Sequence, residues 1–441
     1  MATEHRQPVL SSYLAGRQPT SVRLGQMKFL ERENKPELVN GSIGNVMMPM
    51  YPALQQRMFN LGASDSPFVN GVVPYTATVG LPETQEAFRQ ILRSQGYAPD
   101  DLFVLVTDGA SVAMEIVMLS VSDHISEGGR PILMLDPTYA NYGAVSKRTG
   151  RKMLTVPRRL DDDGEYKFPD IETVEAAIKE SNPSALIVVP YDNPTGQIFG
   201  LEMMEKLAAL CVKYNMWFIS DEAYRELHYA PDQETVSIWG ISEERVPGIT
   251  GRRVSLETAS KVWNACGLRI GAVVTDNKEY FTKSTAEYTS NLCANIIGQY
   301  IFGAIAQEPV ENLQAWYKHQ QDYYREQIFS LYEEFKKIEP DFIISRPQAS
   351  IYFVIDVRKA AKPGFDAKEF VLFCAERGLV DIDGTEYTLL MAPMGGFYDK
   401  NSYADNPGDT QMRISFCENP EKLKFAPRLL SALFREFEAQ R

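Results

Sequence analysis

Between Phe103 and Thr275 the chain repeats one pattern: a short apolar run, an abrupt stop at small or polar residues, then an amphipathic segment such as residues 201–214. Apolar runs too short for helices, alternating with helix-periodic segments, bury both kinds of surface best as a mostly parallel sheet covered by helices. The expected fold class is therefore α/β. Open sheets of this kind bind ligands beyond the carboxyl ends of their strands, so the residues at the stops are the candidates for chemistry. Further on, residues 313–337 carry aromatic and charged side chains at helical spacing and predict a long helix, leading to a smaller α+β unit from about Pro340.

With 441 residues, 44% of them hydrophobic, the chain can bury a sizeable core in two domains. A formal net charge of −13 argues against a nucleic-acid partner. The five cysteines, Cys211, Cys266, Cys293, Cys374 and Cys417, are scattered, which suits a reducing compartment. Neither they nor His5, His124, His228 and His319 have metal-ligand spacing. Residues 1–6 lead into no signal-peptide core and no run approaches a membrane span, so cytoplasmic residence is expected. Residues 158–165, a run of charges, read as a solvated turn.

Each stop has a chemical character. Phe103-Val104-Leu105-Val106-Thr107 runs into Asp108-Gly109-Ala110-Ser111 and then the helix-periodic residues 112–118, a strand, turn and helix start whose free amides and dipole suit an anion. Leu133-Met134-Leu135 ends at Asp136-Pro137-Thr138-Tyr139. Residues 185–190 end at Tyr191-Asp192-Asn193-Pro194-Thr195-Gly196, a turn by composition. Residues 216–220 end at Asp221-Glu222-Ala223-Tyr224. Thr258-Ala259-Ser260-Lys261, with Gly267-Leu268-Arg269-Ile270-Gly271 after it, suits an aldehyde cofactor carrying a phosphate. The amine would condense with the aldehyde, and the hydroxyls and guanidinium would hold the dianion. Near the end, Arg413 opens a strand-like run, where its planar fork suits a carboxylate; an edge-strand arginine in a surface ion pair is the structural alternative.

In order and spacing these segments, from Tyr75 to Arg413, resemble the fold type I, pyridoxal-phosphate-dependent aminotransferases of class I/II, the aspartate aminotransferase superfamily. The resemblance implies pyridoxal 5'-phosphate as cofactor and a seven-stranded, mostly parallel sheet, with a small domain built from both chain ends. The implied division is an N-terminal segment of residues 1–48 joining the small domain, a cofactor domain of residues 49–312, a linking helix of residues 313–339, and a C-terminal small domain of residues 340–441.

The resemblance also implies roles. Ala110, Ser111, Thr258, Ser260 and Arg269 would contact the phosphate, and Tyr139 would stack on the ring. Asn193 and Tyr224 would bind the phenolate oxygen, and Asp221 would keep the ring nitrogen protonated so that the ring accepts electrons. Lys261 would hold the cofactor and move the proton. Arg413 would bind the substrate α-carboxylate, with Asn193 and the loop residues Ile43 and Gly44 as further substrate contacts. Tyr75 would reach the phosphate of a neighbouring subunit, which makes a homodimer with shared active sites the expected assembly. The partners would be an amino acid and a 2-oxo acid, exchanged by ping-pong transamination.

Two departures stand out. Glu83-Thr84-Gln85 follows Leu81-Pro82 where relatives often carry an arginine, a peripheral position. Residues 283–291 lack the arginine that aspartate-type relatives use for a second carboxylate, while Glu287 suggests a cationic amino acid. The same constellation also serves lyases, deaminases and oxidases, and a noncatalytic ligand-binding relative is the reading from a different class.

Overall fold

The computed structural model describes residues 8–230 and 234–441, so His5 and the rest of the first residues lie outside the described part. Its centre is a seven-stranded sheet of β1 (Phe103–Thr107), β2 (Ile132–Leu135), β3 (Met153–Val156), β4 (Ala185–Val188), β5 (Trp217–Asp221), β6 (Arg253–Thr258) and β7 (Gly271–Thr275). The strand order is β1-β7-β6-β5-β4-β2-β3. Only β7 runs against its neighbours; the other pairs are parallel. Every residue of β2, β4 and β7 is buried, as expected of strands covered by helices on both faces. Helix Leu201–Lys213 buries Met204, Leu207, Ala208, Leu210 and Cys211 along one stripe, the amphipathic pattern read from the sequence.

The two chain ends meet in a second layer. Strand Glu37–Asn40 pairs parallel with Thr385–Leu390, which also pairs with Val380–Ile382. A separate antiparallel sheet runs in the order Ala392–Pro393, Gln411–Ser415, Tyr352–Asp356, Ile343–Ile344. The Arg413 strand is thus central in that sheet, and the edge-strand alternative is excluded.

Helix Val310–Ile338 is the long helix predicted over residues 313–337. Of its buried residues, Leu313, Tyr317, Gln320, Tyr324, Ile328, Leu331 and Phe335 recur at steps of three and four along one face, with Tyr332 beside them. That face packs against helix Pro82–Ser94 on one side of the molecule and helix Ala426–Gln440 on the other, so a single element bridges the two layers.

The charged run at residues 158–165 corrects the sequence reading. Asp161 to Glu165 do form a tight polar turn, but Arg158 is only 2% exposed. Its guanidinium pairs with Asp192 at 2.7 Å, donates to the carbonyl of Asp136 at 2.7 Å and lies against the rings of Phe168 and Phe199. A buried arginine needs this full set of partners, and those partners are distant in sequence.

Candidate active site

All but one of the stops fall at the same edge of the sheet, because the parallel strands end there and antiparallel β7 begins there. After β1, Gly109 takes φ +77° and starts helix Ala110–Val121 without any side-chain cap, leaving the first amides of the helix free. Gly109 is also where Arg269 arrives: a Cβ at residue 109 would stand 2.3 Å from Arg269 Nη2. Arg269 itself adopts φ +52°, a conformation side chains normally avoid and which concentrates at functional positions. Thr258 Oγ donates to Ser260 Oγ at 2.9 Å beside it. A glycine-floored cradle of helix amides, two hydroxyls and an exposed guanidinium fits a phosphate dianion, with Ala110 and Ser111 as the first helical residues.

Next to the cradle lies a buried polar chain. Arg413 Nη1 donates to Asn193 Oδ1 at 2.7 Å, Asn193 Nδ2 donates to the Tyr224 hydroxyl at 3.2 Å, and that hydroxyl meets the Tyr352 hydroxyl at 3.0 Å. The Arg413 guanidinium sits 4.0 Å from the centre of the Tyr352 ring and 5.1 Å from that of Phe397, so two aromatic faces fix its plane. Arg413 Nη2 donates to the carbonyl of Ser42 at 3.0 Å, and Lys261 Nζ donates to the carbonyl of Gly44 at 2.5 Å. The loop after strand Glu37–Asn40 therefore covers both cations, with Ile43 between the two carbonyls. Gly44 has to be glycine, since a Cβ there would stand 2.1 Å from the Tyr352 hydroxyl.

Asp221, the last residue of β5, is buried. Tyr142 donates to Asp221 Oδ2 at 2.9 Å and the Ala223 amide to Oδ1 at 3.1 Å. Burial pushes this carboxyl up to about 6 despite both donors. Burial likewise raises the Tyr139 phenol, whose charged neighbours include Lys261, Arg413 and Asp221, so Tyr139 belongs to the same cluster. At Lys261 burial opposes the charge, and phenolic and thiol neighbours led by Tyr352 outweigh it, leaving the amine above its ordinary value. Among the described residues no group of three or more histidines, cysteines, aspartates or glutamates could hold a metal ion.

The structure thus brings together Lys261, Asp221, Tyr224, Asn193, Tyr139, Arg413, Ile43 and Gly44, with the cradle of Ala110, Ser111, Thr258, Ser260 and Arg269 alongside. It leaves Tyr75 apart, 79% exposed, and Glu287 exposed on helix Lys278–Tyr288. The polar segment at residues 398–410, just before the Arg413 strand in sequence, docks on the ends of β2 and β3: the Asp399 amide donates to Asp136 at 2.8 Å, and Thr155 and Ser402 meet at 3.1 Å. Only Phe397, just before it, reaches Arg413. Tyr142, Tyr352 and Phe397 were not legible as site residues. They lie in apolar or small-residue stretches with no marker of chemistry, and only their contacts distinguish them.

A chemistry follows from this geometry: a cradle that fits a phosphate, an amine and a buried carboxylate at one sheet edge, with an arginine from the second sheet beside them. The sequence profile of the family described as aminotransferase class I and II matches residues 70–424. Over 316 residues, 70% of this chain and 76% of the relative, the chain is 26% identical to a probable aspartate/prephenate aminotransferase of Aquifex aeolicus. It is 24% identical over 423 residues to the glutamate-pyruvate aminotransferase of Escherichia coli, 93% of this chain and 90% of the relative. Its fold matches the N-succinyldiaminopimelate aminotransferase structure from Mycobacterium tuberculosis with a TM-score of 0.76 at 22% identity, covering 96% of this chain and 100% of that one. The chain belongs to the aminotransferase class I and II family, whose members use pyridoxal phosphate. It is a transaminase of fold type I, acting between amino acids and oxo acids.

Proposed function

We propose that this chain binds pyridoxal 5'-phosphate through Lys261 and moves an amino group from an L-amino acid to a 2-oxo acid in two half-reactions at the site described above. The observation that carries this reading is the unbroken hydrogen-bonded chain from Arg413 through Asn193 to Tyr224 and Tyr352, with Lys261 and Asp221 beside it. When bound, the cofactor supplies a carbonyl for the amino group and an electron-accepting ring. Asp221 would face the ring nitrogen and keep it protonated; Asn193 and Tyr224 would donate to the ring oxygen, and Tyr139 would cover the ring face. Ala110, Ser111, Thr258, Ser260 and Arg269 would hold the phosphate. Arg413, fixed between Tyr352 and Phe397, would grip the substrate carboxylate and so orient the bond that breaks. Lys261, once released, would carry the proton. Since the Ser42 and Gly44 carbonyls now accept from the two cations, a substrate carboxylate would take the place of the Ser42 carbonyl at Arg413.

The assembly that fits is a homodimer in which Tyr75 completes the phosphate site of the other subunit. Its support is an exposed apolar patch around that tyrosine, including Val69, Val72 and Val73. The division at residues 1–48, 49–312, 313–339 and 340–441 goes with this reading, as does residence in the cytoplasm. No helix among the described residues is long and apolar enough to cross a membrane.

Absorption spectra of the protein with the cofactor test the function. Adding an amino-acid pool without oxo acid should convert the bound cofactor from its aldehyde to its amine form, and a 2-oxo acid should reverse the change. Ammonia release with an unchanged spectrum would point to a lyase or oxidase instead, and absence of any protein-bound spectrum would remove Lys261 from its role.

A further inference from the structure

Behind the site, on the other side of the ends of β5 and β6, lies a charge cluster that the reaction does not use. Glu257 precedes Thr258 on β6, and successive strand residues face opposite ways, so Glu257 points away from the cradle. Arg225, the residue after Tyr224, grips it with Nη2 at 2.5 Å from Oε1 and Nε at 3.3 Å from Oε2. The other carboxylate is Glu222, the residue after Asp221, whose Oε2 stands 3.5 Å from the same Nη2. Glu222 Oε1 accepts from Ser220 at 2.8 Å, Ser237 at 2.9 Å and the Ile238 amide at 3.0 Å, but its buried Oε2 has no hydrogen-bond partner among the described residues. Ser255 donates to Glu257 at 2.7 Å, and Gln95 and Ser237 accept from Arg225 at 2.8 and 3.0 Å.

The groups facing this cluster from neighbouring elements do not neutralise it. Tyr97 and Tyr317 are phenols, and burial raises both. Glu226 adds a third carboxylate, held by Gln95 and Thr235 and 3.8 Å from His228. One guanidinium against two fully buried carboxylates leaves a net negative charge where solvation is poorest, and one proton retained in the cluster removes it.

We propose that the triad of Glu257, Arg225 and Glu222 retains one proton, carried by Glu257, and that this triad is the positioning brace that fixes Asp221, Tyr224 and Lys261 at the sheet edge. Burial lifts the Glu257 carboxyl to about 7, against the opposing pull of Arg225, which agrees with a retained proton. The sign follows: a carboxyl raised from 4.5 to about 7 contributes stability that is whole below the lower value and is lost as pH climbs through the upper one. The positioning part rests on the proposed roles of Asp221, Tyr224 and Lys261; the proton does not.

The test uses the cofactor-loaded protein and the variants Glu222→Gln, Glu257→Gln and the double variant. Infrared spectra in heavy water should contain a protonated-carboxyl C=O stretch that one single variant lacks. The same variant should lose the slope of unfolding equilibrium against pH that one proton gives, about tenfold per pH unit, across that window. The double variant, which takes from Arg225 both carboxylates it is paired with, should melt lower at every pH and lose about tenfold in kcat with KM held, as a displaced site would. Unchanged infrared bands and pH slopes in both single variants would overturn the retained proton, and a double variant with wild-type kcat would overturn the brace. Failure of the site assignment itself would appear separately, as loss of the cofactor spectrum in the wild-type protein.

Discussion

Tyr142 bears on how Asp221 would meet the cofactor. Its hydroxyl and the Ala223 amide both favour the carboxylate, and burial favours the acid. The unloaded site should therefore bind pyridoxal phosphate less tightly as pH falls through about 6, where the carboxylate proposed to pair with the ring nitrogen disappears. Tyr142→Phe removes one donor to the charged form and should move that midpoint upward by about one unit, read by fluorescence titration of the unloaded protein across pH. An unmoved midpoint would separate Tyr142 from the titration. At Arg413 the geometry predicts a different loss. Lysine cannot occupy the plane between Tyr352 and Phe397 or fork onto a carboxylate, so Arg413→Lys should lower kcat/KM by about 100-fold, roughly 2–3 kcal/mol, with cofactor affinity retained. Gly109→Ala should do the reverse, since its Cβ would displace the Arg269 guanidinium: cofactor affinity should fall while the fold survives.

At the scale of elements, two braces outside the reacting groups carry the site. Arg158 ties the end of β2 to the Asn193 turn through Asp192, wholly out of solvent. Removing one partner of such a pair strands the other charge, so Arg158→Ala should destabilise the protein by about 3–5 kcal/mol, measured by urea unfolding. A surface-like loss of under about 1 kcal/mol would mean that the pair is not desolvated in solution. The long helix Val310–Ile338 is the other brace. Ile328 lies fully buried on its packed face, and Ile328→Ala should cost about 2–5 kcal/mol through the cavity it leaves.

At the scale of the whole molecule, the exposed Tyr75 and the phosphate cradle belong to one prediction. If Tyr75 serves the other subunit, a Lys261→Ala chain mixed with a Tyr75→Ala chain should form dimers with one intact site, because both lesions then fall in the same site. Mixing should restore cofactor binding and turnover that neither variant has alone; no recovery after subunit exchange would confine Tyr75 to its own chain.

The sequence by itself determined the sheet, the stops and most of the site. Strand and turn signals are local, and a lysine after two hydroxyls or an arginine opening a strand is visible wherever the chain goes. Tertiary structure decided what depends on neighbours distant in the chain. Arg158 left its charged turn for Asp192, the segment at residues 398–410 settled on β2 and β3, and Tyr352 and Tyr142 acquired their partners. A pattern of residues specifies which surface an element must bury, but a hydrogen bond or a raised carboxyl arises only when folding places a second group beside the first and removes the water between them.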